Sequence, residues 1–130
     1  MITNEYIDKL YKASINIEEN FALNTLLNDL NKLTPKFELQ IQSSVIVIEE
    51  LNEDERIFLT KISTLIMYFF DINNISVPKW VEDERLVLNQ PVVYGERRRD
   101  KWYFNTIFNA PDIFKKKGVY FDLYALKRIW

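Results

Sequence analysis

The chain has 130 residues, enough for one domain with a hydrophobic core that needs no metal or disulfide staples. It contains no Cys and no His, which excludes a disulfide framework, Cys/His zinc sites, Cys nucleophiles, a Ser-His triad and a His general base. The net charge of −2 is unevenly placed: residues 1–75 hold 6 Lys/Arg against 12 Asp/Glu, giving −6, and residues 76–130 hold 11 against 7, giving +4.

The first predicted element is a helix from Thr3 to about Ile15, capped by Thr3, with Tyr6, Leu10 and Ala13 on one stripe and Ile7 beside them. A second helix is expected from about Ile17 to Leu33. Asn16 and Glu19 have capping-box spacing, and Leu23, Leu26, Leu27, Leu30 and Leu33 recur at the spacing of a buried face. The third segment, Pro35 to about Leu51, reads two ways. Thr34-Pro35 is a good helix start, and Phe37, Ile41, Val45 and Ile48 line one helical face. Residues 37–42 also alternate strictly and 45–48 are β-branched, as in a short hairpin over 37–48. Ser43-Ser44 lacks the Gly or Asn of a favoured tight turn, so a helix is the stronger reading.

The fourth helix spans Glu53 to about Ile72. Asn52 caps it, and Glu53, Asp54 and Glu55 lie at the positive end of its dipole. From Ile62 onward it is apolar nearly all round, which predicts a place at the centre of the fold. The final third holds three of the four prolines, both glycines and all three tryptophans. Expected there are a short helix over Val81–Leu88, a connector from Pro91 to Gly95, and a helix from Arg97 to Phe108 with Trp102 and Phe108 inward. A short helix over Pro111–Lys117 stopped by Gly118 and a helical stretch from Phe121 to Ile129 follow.

The expected fold is therefore all-α: a single domain over 1–130, with a helical bundle (1–75) and a small, basic, aromatic-rich helical cap (76–130). The alternative is α+β with the hairpin at 37–48. Only two Gly and four Pro disfavour a hairpin-rich fold. The longest apolar run, Leu65 to Phe70, is far short of the roughly 20 residues that cross a bilayer. With no signal-peptide pattern at Met1–Glu5, a cytoplasmic protein without membrane partners is expected.

No motif recommends an enzyme. The acidic clusters Glu49-Glu50 with Glu53-Asp54-Glu55, and Glu82-Asp83-Glu84, can attract a divalent cation, but the stronger reading is acidic first turns of helices. The acid-pair-plus-Lys pattern of metal nucleases fails around Asp112 and Asp122. Gly95 and Gly118 are isolated, so no phosphate loop can be built. No cofactor, no metal and no catalytic residue are expected.

Arg97-Arg98-Arg99-Asp100-Lys101 is the dense basic run, with Trp102, Tyr103 and Phe104 directly after it. Surface aromatics and Arg dominate protein interfaces, and the same mixture can neutralise phosphates and stack on bases. Candidate partner-binding residues are Arg97, Arg98, Arg99, Lys101, Tyr94, Tyr103, Lys116 and Trp130. Against a shared face, three consecutive helical residues sweep about 200°. Lys115 to Lys117 before Gly118 is also ordinary helix C-terminal chemistry, and Trp130 is better suited to docking in the core than to a partner.

The last third also carries a resemblance. Val77-Pro78-Lys79-Trp80, Leu86, Pro91, Asn109-Ala110-Pro111-Asp112-Ile113-Phe114-Lys115-Lys116-Lys117-Gly118-Val119-Tyr120 and Leu126-Lys127-Arg128 resemble the end of a loose group of small bacterial proteins. That group shares a Pro-x-Trp motif, a later Pro, an Ala/Ser-Pro-x-x-Phe-basic-basic motif and a Leu-x-Arg ending. Its members stand alone or follow helix-turn-helix regions, sometimes in gene pairs of the toxin–antitoxin kind. Val92-Val93 stand where aromatic residues often follow the middle Pro. The resemblance implies a bacterial regulatory or interaction domain and no reaction. Abundant Ile, Asn, Lys, Phe and Tyr agree with AT-rich coding DNA, as in low-GC bacteria and their phages. The functional expectation is a non-catalytic protein that binds and regulates a protein partner, antitoxin-like or anti-defence-like. The alternative is a nucleic-acid-binding regulator using the same basic-aromatic surface.

Overall fold

The structure is a computed structural model that describes residues 3–16, 19–88, 92–94 and 110–121. Within them the fold is all-α. Helices α1 (Asn4–Asn16), α2 (Glu19–Lys32), α3 (Pro35–Gln42), α4 (Glu53–Ile72) and α5 (Asp112–Lys117) are joined by 3₁₀ turns at Ile48–Glu50 and Lys79–Glu82. The β-structure among the described residues is small: three-residue strands β1 (Val92–Tyr94) and β2 (Val119–Phe121) pair in parallel, and Thr3 makes an isolated bridge to Val45.

Helix α4 forms for reasons visible in its sequence. The Asn52 side chain accepts the Glu55 N–H (2.8 Å) and the Glu55 carboxylate accepts the Asn52 N–H (3.2 Å), a complete capping box. Beyond it Phe58, Leu59, Ile62, Leu65, Ile66, Met67, Phe69 and Phe70 are buried. The helix packs against α1, α2, α5, β2 and the Lys79–Glu82 turn, which makes it the central member. Three hydroxyls lie buried on it. Each bonds back along the helix: Thr60 to the Arg56 carbonyl (2.9 Å), and Ser63 and Thr64 to that of Thr60 (both 2.8 Å). These bonds remove the cost of burying unpaired hydroxyls, and they leave small side chains where neighbours approach.

The first two helices match their expected faces. Thr3 Oγ1 accepts the Tyr6 N–H at 3.2 Å, and Ile7, Leu26, Leu27 and Leu30 are core residues. Leu33 is not the last buried residue of α2. It sits just past the helix with φ 40°, in the left-handed region, and its N–H bonds the Asp29 carbonyl. A leucine there is conformationally costly, and its partial packing against the core offsets that cost. The Ala13 and Leu23 side chains and the expected Asn16/Glu19 capping pair lie outside what is described.

The third segment departs from expectation. Thr34 caps α3 and Pro35 opens it, but the helix ends at Gln42 rather than near Leu51. Ser43 and Ser44 turn their hydroxyls back onto the Leu39 and Gln40 carbonyls, both at 2.7 Å, and compete for the acceptors of the last turn. The β-branched run Val45-Ile46-Val47 then goes extended. The alternative hairpin over 37–48 does not form, since Phe37 to Gln42 are helical. Val45 instead bridges Thr3, and the Asn4 side chain both accepts the Val47 N–H (3.0 Å) and donates to the Val47 carbonyl (2.8 Å), as a strand neighbour would.

Two further corrections lie in the last third. Val81–Leu88 is not a helix: after the turn at Lys79–Glu82, Asp83 accepts the Arg85 N–H at 2.9 Å and holds a tight bend. The stretch from Pro91 to Gly95 contains strand β1, and Phe121 belongs to β2 rather than to a helix. The expected helices over Arg97–Phe108 and 122–129, with Trp102 and Phe108, lie outside the described residues. No helix of the described residues is long and apolar enough to cross a membrane.

The capping box makes a direct prediction. Asn52→Ala removes the acceptor for the Glu55 N–H, and it should lower stability by about 1 kcal/mol in a urea titration. An unchanged midpoint would show that the cap is not what starts α4.

Candidate functional site

Strand β2, helix α5 and the segment 78–88 meet on one side of α4. The segment acts as a strap, held at several points. Phe114, on the inner face of α5, packs against Tyr68 of α4 (ring centroids 5.3 Å apart) and against Phe121 of β2 (5.7 Å). Val81 and Leu86 of the strap are completely buried.

Lys117 stands three residues after Phe114 and so shares its inward face. It is only 2% exposed. Its ammonium donates to the Val81 carbonyl at 2.6 Å and the Leu86 carbonyl at 3.0 Å, and so grips the strap at both ends of its bend. Burial pushes the lysine down to about 8, with Lys116 adding to the shift and Asp83 and Glu82 opposing it. The Lys117 carbonyl in turn accepts the Leu88 N–H at 2.9 Å. Gly118 then ends α5 with φ 76°, its N–H bonded to the Phe114 carbonyl. The Leu88 carbonyl lies so close to Gly118 that a Cβ would collide with it. This glycine is required both by its left-handed backbone and by that approach.

The outer side of the strap is tied by arginines. The Arg85 guanidinium meets Asp83 at 2.8 Å and Glu49 at 2.7 Å, and Arg56 of α4 donates to the Arg85 carbonyl at 2.8 Å. Arg85 holds the Asp83 carboxyl down to about 2, lowers that of Glu49, and is itself raised by both. These pairs are solvent-exposed and contribute modestly to stability, but they link the acidic part of the chain to the strap. Trp80, in the Pro-x-Trp motif, packs partly against the core, and its indole N–H is shielded from solvent with no hydrogen-bond partner among the described residues.

Of the candidate contact residues, Lys116 is exposed at the end of α5. Tyr94 lies in β1, its backbone in register with Phe121. Arg97, Arg98, Arg99, Lys101, Tyr103 and Trp130 lie outside the described residues. The structure therefore does not bring this set together as a described site. Lys117 is the residue that sequence reasoning misjudged: it is a buried anchor, not a solvated end-of-helix charge. Its spacing from Phe114 was the available signal. The acidic clusters are used structurally, Glu55 in the capping box and Glu49 and Asp83 on Arg85. Among the described residues no group of three or more carboxylates is placed to hold a metal ion.

No protein-family model matches the chain, and no curated protein or solved structure does so either.

Two predictions follow from the clasp. Gly118→Ala forces a side chain into the left-handed region and against Leu88, and it should cost about 1–2 kcal/mol or more in chemical denaturation. Lys117 has a pH signature. Its value is about 8 in the fold against 10.5 normally, so between these values the unfolded chain binds the proton that the folded chain has lost. Stability must then rise with pH through that window and be insensitive to this group below it. The difference in unfolding free energy between the wild type and Lys117→Met should grow from about pH 8 to about pH 10.5. A flat difference across that range would mean that the lysine is not held as described.

Proposed function

We propose that the chain is a non-catalytic bacterial or phage protein of the cytoplasm that binds and regulates a protein partner, antitoxin-like or anti-defence-like. The contact surface is the basic, aromatic-rich C-terminal part, offered to an acidic partner. The observation that carries the reading is the juxtaposition in sequence of Arg97-Arg98-Arg99-Asp100-Lys101 with Trp102-Tyr103-Phe104, the residue types that dominate interface energetics. Exposed Lys115 and Lys116 on α5 add to it. The resemblance of 77–128 to small bacterial regulatory proteins of toxin–antitoxin type points the same way. The absence of His and Cys removes the commonest catalytic groups.

Nucleic acid is the competing ligand for such a surface. In sequence Glu96 and Asp100 interleave with the arginine run, and such carboxylates repel a phosphate backbone, whereas a protein surface of mixed charge can match them.

The test is affinity capture by the tagged protein from the lysate of a low-GC bacterium, with and without nuclease, in parallel with an Arg97/Arg98/Arg99→Glu variant. The expected result is one dominant protein that survives nuclease and is lost with the charge-reversed variant. Recovery that vanishes with nuclease, together with low-salt binding of generic oligonucleotides by the wild type alone, would replace this reading with the nucleic-acid one. Equal capture by both variants would remove the arginine run from the site.

A further inference from the structure

We draw no further inference here: the strongest candidate, the acidic surface patch where Glu49 ahead of α4 and Asp83 on the strap meet on Arg85, is a cluster of carboxylates already engaged by that arginine, and nothing else among the described residues points to a ligand for it.

Discussion

Helix α4 imposes the constraint that the other described elements satisfy. A helix apolar nearly all round is stable in water only if it is covered nearly all round. Burial of its side chains is the dominant favourable term in the fold. Helices α1 and α2 cover part of it, and α5, β2 and the Lys79–Glu82 turn cover more. The last of these arrive from far along the chain, so the C-terminal part is a structural necessity for α4 as well as a candidate contact surface. The hydroxyls of Thr60, Ser63 and Thr64 show how complete the cover is. They are fully buried and satisfied inside the helix itself, with no demand on the elements packed against it.

The strap over α5 has little regular structure with which to satisfy its own backbone. Buried carbonyls must find donors or carry a penalty of about 1–3 kcal/mol each. Lys117 supplies them at Val81 and Leu86, and the Lys117 carbonyl and the close approach of Gly118 settle Leu88. The lysine is thus used as a flexible donor where a helix or sheet would have used its own ladder. The cost is a buried positive charge. Asp83 and Glu82 reduce it from a distance, and Asp83 also bonds the Arg85 guanidinium. The Arg85–Glu49 pair then carries the restraint across to the acidic part of the chain, so both ends of the sequence hold the strap in place.

Legibility in the sequence followed how local each cause was. The α4 boundaries could be read because a capping box and a long apolar run lie within the element itself. The end of α5 could be read because Gly118 is a local stop. The end of α3 was misplaced because helical periodicity through Val45 and Ile48 competed with two consecutive serines, and the serines prevailed by taking the last carbonyls. The 79–88 segment combines a local Asp83–Arg85 turn with distant donors from Lys117, and the β1–β2 pair joins residues 27 apart, such as Val92 with Val119, which no local pattern announces. The buried role of Lys117 fell between these cases. Its residue type argued for solvent, and its spacing from Phe114 argued for the core. Of the proposed contact residues, the structure speaks to the exposure of Lys116 and to the backbone pairing of Tyr94.

The burial of Lys117 also changes the meaning of the basic balance. Residues 76–130 carry +4, but one of those charges, Lys117, is inside the fold, which leaves +3 for the rest of this part. Arg85 is already engaged by Asp83 and by Glu49 of the acidic part. Lys115 and Lys116 remain in solvent. Beyond Lys79, the other cations of this part are Arg97, Arg98, Arg99, Lys101, Lys127 and Arg128, with Glu96, Asp100 and Asp122 among them in sequence. Acids interleaved with cations in sequence oppose a phosphate backbone, which demands many cations in register; under the proposed reading the same interleaving adds discrimination against wrong protein partners.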